Sequence, residues 1–548
     1  MDSGSGKAVL DAVTVKILWD RLVSIVDEAT VAQYRTAFST VVQEANDFAC
    51  SIMDVNGGTL ANSQTGLPSF VATQAFTLTE LLRRFPREAF QPGDVFITND
   101  PWIGTGQAMD ITLLSPIFRG DQLVAFAGSV AHAPDLGGAQ HWNLSVDVFD
   151  EALLIPPLKL YQRGQPNETL LALIRANSRL PHLTLGDLDS QLAAIHRSTI
   201  RLLAVMDEYD LPDLNELVAE IYARSEGAMR TAIANIPDGT YVGEVWSEGF
   251  RDPAETRPSE REPDPILIRA TVTVDGSDLT VDFAGSSPQV PGSFNSVWTF
   301  TSAYSLYALR YVLVPFFPNN AGFYRPLRVI CPEGTVVNAR YPAATLSRHV
   351  IGHQVADAIY AALAPVLPDA VIAQGGSAPS WDLLLSGKDR RGRHFHRLVI
   401  INGGMGAGPR EDGATLCFPA NISNTPVEIL ESTMPLICDG KEIVAGSAGE
   451  GRTRGGFGQR MTFRALAPIH YSLINARVLH APQGLLGGAP GMAGRTIAAG
   501  RELPPGSNGT LASGETLVIE TPGGGGLGPV SERAPGRVAR DIGDDVTG

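Results

Sequence analysis

No run of eighteen apolar residues occurs in the chain, so nothing in it reads as a membrane-spanning helix, and Met1-Asp2-Ser3-Gly4-Ser5-Gly6-Lys7 lacks the apolar stretch of an export signal. Cysteine is scarce. Cys50, Cys331, Cys417 and Cys438 are widely spaced, form no CxxC pair and give no disulfide framework, which is the usage of reduced thiols in a cytoplasmic protein. There is no long basic run, and a formal net charge of −16 argues against nucleic acid or an anionic membrane as partner. Charged residues are only 18% of the 548 and hydrophobic ones 44%, enough apolar material for two or three domains.

Glycine and proline are abundant, at 57 and 38 residues, which points to a loop-rich chain containing sheets. Val15, Leu18, Trp19, Leu22, Ile25, Val26 and Ala29 recur at helical spacing and predict an amphipathic opening helix. Residues 48 to 61 read as a hairpin around Asn56-Gly57, and Asp94–Thr98 and Leu123–Val130 as buried strands. From Leu185 to Ile236 a helical hairpin is expected, broken at Leu211-Pro212. Beyond Pro237-Asp238-Gly239 the texture alternates, as in Ile266–Val274 and Leu279–Phe283, and a helix from about Leu346 to Leu367 interrupts it. The expected fold class is α+β, multi-domain, with mixed sheets. Residues 1–237 form an N-terminal α/β region carrying the site, 238–530 a sheet-rich, Gly-rich region with an inserted helix, and 531–548 a flexible tail.

Several constellations compete for chemistry. The glycine clusters Asn402–Gly406, Arg454–Gly458 and Gly523–Gly526 lack the Lys-Ser/Thr ending of a phosphate loop and read as turns rather than nucleotide sites. His349 and His353 stand at i, i+4, a spacing that suits a metal, but no HExxH glutamate accompanies them, and surface or helix-start polarity is the expected role. His394 and His396 lie among Arg390, Arg391, Arg393 and Arg397 and read as a solvated hairpin end. No Gly-x-Ser-x-Gly elbow occurs, and no cysteine has an adjacent base, so triad chemistry is disfavoured. The remaining group is Asp47, Asp110, His132 and Asp135. Carboxylates and an imidazole suit zinc, manganese or iron, while Asp before Pro or Gly is also common in turns.

Asp94-Val95-Phe96-Ile97-Thr98-Asn99-Asp100-Pro101, Ala131-His132-Ala133-Pro134-Asp135-Leu136-Gly137-Gly138, Leu154–Tyr161 and Arg454–Gln459 follow one another as the signatures of the hydantoinase B/oxoprolinase family do. Arg35–Ser39, Asp47–Cys50, Pro318–Gly322 and Thr521–Gly526 extend the resemblance over nearly the whole chain. It implies a B-type subunit that works with a hydantoinase A-type ATPase subunit in a biotin-independent hetero-oligomer, with ATP bound by the partner. The members it resembles open hydantoins, lactams or oxoproline, or carboxylate ketones such as acetone and acetophenone.

The resemblance also implies a divalent metal, zinc or manganese, held at Asp47, Asp110 and His132, with Gln107 where the family has a second histidine. An amide oxygen is a poorer zinc ligand than an imidazole. His132, Asp135 and Asp100 are the expected catalytic residues, with Trp102, His141 and Trp142 as pocket candidates that equally suit packing. The expected activity is hydrolysis of a cyclic amide. The alternatives are an acetophenone-type carboxylase, suggested by Asn99-Asp100-Pro101-Trp102, and a non-catalytic scaffold subunit with an altered site.

Overall fold

The structure, a computed structural model, describes residues 10–139, 144–249, 264–389, 391–417 and 422–543. A seven-stranded antiparallel sheet dominates the N-terminal half, in the order Thr59–Asn62, Phe48–Met53, Gln122–His132, Asp110–Arg119, Val95–Thr98, Leu158–Gln162, Gln165–Pro166. Both faces are buried. Ile52, Ile111 and Leu113 meet the helices Ala12–Thr36 and Pro181–Glu208 through Leu18, Leu22, Val26, Leu188 and Ile195. Met53, Phe96, Leu114 and Phe126 meet Leu78 and Leu81 of the helix Pro68–Arg84 on the other side. Double-sided burial explains why these strands read as continuous apolar runs rather than alternating ones.

The hairpin, the opening helix and the helices Pro181–Glu208 and Asn215–Ala234 match the expected pattern. The strand Asp110–Arg119 departs from it, because Pro116 lies inside. Pro116 is tolerated because the neighbouring strand Val95–Thr98 pairs only as far as Leu114, so no ladder partner on that side needs its missing N–H.

A second sheet, in the order Leu327–Ile330, Asp278–Asp282, Ile266–Asp275, Gly239–Ser247, buries alternate residues such as Ile268, Ala270 and Val272. The helix His349–Leu363 lies across it, close to Gly243, where a Cβ would stand 2.1 Å from Ala358 O. Two further sheets, centred on Trp381–Lys388 and Gln459–Ala465, enclose Leu383, Leu385, Phe463 and Ile519.

The glycine clusters are not turns. Gly404, Gly456 and Gly524 have no left-handed φ and belong to extended segments that bond one another outside the regular sheets. Gly404 N donates to Pro522 O at 2.9 Å, Gly456 N to Met405 O at 2.8 Å and Gly524 N to Gly456 O at 2.9 Å. The expected flexible tail is also tied down as far as Gly543. Residues Pro535–Gly543 are helical, and Arg533 bridges Asp412 at 2.9 Å and Asp541 at 2.7 Å. Residues 544–548, with Asp544 and Asp545, lie outside the described residues.

Candidate active site

Register brings the site together at one end of the large sheet. Asp110 and His132 are directly opposed on adjacent strands, and Phe48 pairs with Ala131 on the far side of the His132 strand. Asp47, one residue before Phe48, therefore stands beside His132, and its carbonyl accepts the His132 N–H at 3.1 Å. Asn46 supports this entry in a left-handed conformation, φ 58°, that asparagine tolerates.

His132 Nδ1 is 2.9 Å from Asp110 Oδ1 and 3.8 Å from Asp47 Oδ2. Asp110 Oδ2 accepts from Arg348 Nη2 at 2.6 Å and from Thr105 Oγ1 at 2.5 Å. Arg348 Nη1 donates to Gln107 Oε1 at 2.8 Å, its Nε to Thr105 O, and Gln107 Nε2 to Leu346 O. The guanidinium carbon lies 4.2 Å from the centre of the Phe300 ring.

These groups are buried, and their titration follows from which neighbour outweighs desolvation. Burial raises Asp110, but Arg348 and the His132 hydrogen bond overcome it and hold the carboxyl below its usual range. Burial lowers His132, but Asp110 and Asp47 overcome it and raise the imidazole. Asp47 is pushed up to about 6 by burial, with His132 opposing and Asp110 adding to the rise.

Asp47, His132 and Arg348 line a cavity of about 40 Å³, together with Tyr304, Ser380 and Asp382. That volume seats a water among polar partners. His349 and His353 are also on its wall, 6% and 5% exposed, so the expected surface role is wrong. The helix that carries them lies inside the fold, between the second sheet and Trp298–Leu313, so its first turn faces the site rather than solvent. Burial, then the Arg348 cation, lowers His349 to about 3, and burial, then His349 and Arg348, takes His353 well below its ordinary value. Both are neutral imidazoles at neutral pH. His349 Nε2 has no hydrogen bond and stands 3.4 Å from Asp382 Oδ2. Burial pushes Asp382 up to about 7, with Asp47 adding to the rise.

His132 and Leu398 are shared with a neighbouring crevice of about 20 Å³ that reaches His396. His396 in turn borders an open pocket of about 800 Å³ with Arg179, Lys388, His394 and His470 on its wall. The three spaces thus share wall residues, His132 and Leu398 between the first two and His396 between the last two. The expected solvated end holds for His394, which is exposed, but not for His396, which is buried.

Asp100 and Asp135 do not join the cluster. Asp100 accepts the Trp102 N–H at 3.0 Å in a local turn. Asp135 accepts from Arg179 Nη1 at 2.7 Å and Ser178 Oγ at 3.2 Å, tying its loop to the start of the helix Pro181–Glu208. Trp102 donates to Ala339 O at 3.1 Å and stacks edge-on with Tyr341, a packing role. His141 and Trp142 lie outside the described residues.

Glu151, fully buried, accepts Thr345 N at 2.5 Å and Leu346 N at 2.6 Å and so fixes the segment that leads to Arg348. Burial pushes its carboxyl up to about 8, against those donors and Arg348. The folded protein keeps this proton between about pH 4.5 and 8 while the unfolded chain releases it, so the stabilisation is complete below that window and lost as pH rises through it, on the order of a few kcal/mol. Glu151→Gln is expected to flatten that part of the dependence, read as the difference between wild-type and variant thermal unfolding at pH 5, 6.5 and 8.

The four groups expected to hold a metal converge, but around a guanidinium. Both Gln107 Oε1 and Asp110 Oδ2 are bonded to Arg348. A divalent ion about 4 Å from that cation meets a repulsion of about 8 kcal/mol at an effective dielectric constant of about 20. Among the described residues no group of three or more His, Cys, Asp and Glu stands in a geometry that holds a metal ion. The donor set does not fit one.

The family model described as Hydantoinase B/oxoprolinase matches residues 11–530. The chain belongs to this family. Within the hydantoinase B/oxoprolinase family it is 30% identical to the B subunit of a putative D-/L-hydantoinase of Pseudomonas sp. (strain NS671), over 97% of this chain and 92% of that protein. The crystal structure of the ATP-dependent caprolactamase from Pseudomonas jessenii superposes with a TM-score of 0.86 at 24% identity, covering 98% of this chain and 94% of the other. A nucleotide-free acetone carboxylase superposes at 0.85 and 19% identity, covering 97% and 78%. These likenesses establish a shared family fold.

Sequence reasoning missed Arg348, Asp382 and Glu151. The spacing of His349 and His353 marked the right helix turn, with Arg348 immediately before it. No local pattern pointed to Asp382 or Glu151, which reach the site through long-range packing.

Proposed function

We propose that the chain is the B-type component of an ATP-dependent, biotin-independent hydrolase that opens a cyclic amide of the hydantoin, lactam or oxoproline kind. The observation that carries this reading is the convergence of Asp47, His132 and Arg348 on one small polar cavity in a chain 30% identical to the B subunit of a putative hydantoinase. Its partner is a hydantoinase A-type ATPase, which binds ATP and activates the amide oxygen by phosphorylation. The complex belongs in the cytoplasm, where ATP is available, and no described helix is long and apolar enough to cross a membrane.

In this chain the water that attacks the activated carbon is placed in the cavity lined by Asp47 and His132, which has room for one. Asp47, whose carboxyl titrates near 6, is ionised at neutral pH and accepts the proton of the attacking water. Arg348 spends three of its five N–H donors on Thr105, Gln107 and Asp110, and its charge on the cavity wall favours the oxygen on which negative charge develops. His132, raised by Asp110, gives a proton to the ring nitrogen as the C–N bond breaks, and the acyl phosphate left behind is hydrolysed by a second water to the carboxylate and inorganic phosphate. Asp100 and Asp135 hold their loops in place.

Co-purified with its partner, the protein is expected to couple ATP turnover to ring opening of a hydantoin or lactam without bicarbonate. Turnover that requires bicarbonate and yields a carboxylated ketone assigns the carboxylase reading instead. Substrate-stimulated turnover that survives both Asp47→Asn and His132→Gln assigns a scaffold role.

A further inference from the structure

Arg348 is buried with its donors fixed. It is 4% exposed, its face lies on Phe300, and its donors are fixed on Thr105 O, Gln107 Oε1 and Asp110 Oδ2. The loop beside it is shaped for it. Gly106 has φ +79°, and a Cβ there would stand 2.8 Å from Arg348 Cδ, so the residue before Gln107 yields its side-chain space to the arginine. Gln107 is oriented too, because its Nε2 is spent on Leu346 O, which turns the amide oxygen to the cation. A histidine at this position would carry no equivalent neutral oxygen for a guanidinium. Gln107 and Arg348 therefore act as a matched pair.

We propose that Arg348 is the built-in cation of this site, standing between Gln107 and Asp110 in place of a divalent metal, and that the protein needs no metal ion there. The inference rests on the contacts of Arg348 and holds whichever amide or ketone the complex takes. A guanidinium keeps its charge at every working pH and presents paired donors that suit a carbonyl or phosphoryl oxygen. It does not make a nucleophile of a bound water as a metal does, and that task then falls to a carboxylate on the cavity wall. Asp47 is such a group.

The test is metal content. The complex, purified without chelator, is assayed for manganese, iron, cobalt and zinc, and after chelator treatment and desalting zinc is titrated into it calorimetrically. Wild type is expected to hold far less than one transition metal per chain and to show no zinc binding that depends on Asp110. The double variant Gln107→His, Arg348→Ala restores an imidazole and removes the cation, and is expected to take up about one zinc per chain, in keeping with a site of two carboxylates and two imidazoles. Stoichiometric metal in wild type that Asp110→Asn abolishes overturns the proposal, as does a folded double variant that gains no zinc.

Discussion

Asp47→Asn is expected to lower kcat of the assembled enzyme by about 10²- to 10⁴-fold, the usual contribution of a positioned general base. Asn has the same size and keeps the backbone bond from His132 to the residue 47 carbonyl, so thermal unfolding should change little. The pH profile separates chemistry from damage. Because the carboxyl titrates near 6 and acts ionised, wild-type activity should fall as pH drops through about 6. The variant should lose that limb along with the rate. Asp382, which titrates near 7 on the same cavity wall, faces the same groups, and Asp382→Asn tells whether the limb belongs to it instead. Asp100→Asn serves as the contrast: its carboxylate caps the Trp102 turn and is not on the cavity wall, so the activity should stay close to that of wild type. A full loss in Asp100→Asn with none in Asp47→Asn would move the chemistry out of the cavity.

Much of this site could be read from the chain because it is carried by strand ends. Asp47, Asp110 and His132 flank apolar runs, and once those runs are adjacent strands, register alone sets the three side by side. Arg348, Glu151 and Asp382 could not be found in that way. Arg348 and Asp382 reach the centre from more than two hundred residues away from Asp110 and His132, Glu151 grips Thr345 and Leu346 across 194 and 195 residues, and what marks them is burial with a partner, a property that no periodicity encodes. The histidines at 349 and 353 show the same limit from the other direction. Their spacing was visible, but solvent and core are indistinguishable for a helix that is apolar almost all round, as Val350, Ile351, Val355 and Ile359 make it. Asp135 misled for a physical reason too. A carboxylate beside a glycine pair suits a catalytic loop and a loop anchor equally, and Arg179, forty-four residues away, decides for the anchor.

Glycine was the larger misreading, and it yields the largest expected effect on stability. Gly404→Ala should abolish soluble expression or cost more than the roughly 1–3 kcal/mol of ordinary overpacking. The added Cβ would lie 1.9 Å from Gly456 O and 2.8 Å from Gly524 N, and both obstacles are backbone that cannot rotate aside. Moving either segment breaks the bond from Gly456 N to Met405 O or from Gly524 N to Gly456 O, so the strain spreads through the layer. The same chemical change elsewhere should have the opposite sign. Gly227 sits inside the helix Asn215–Ala234 with nothing within 4 Å of a Cβ, and Gly227→Ala should stabilise by about 1 kcal/mol through helix propensity. Thermal and denaturant unfolding of the two variants side by side checks the pair. Equal, small effects would mean that the glycine segments are loosely packed, and that their composition reflects backbone freedom rather than the close approach of one chain segment to the next.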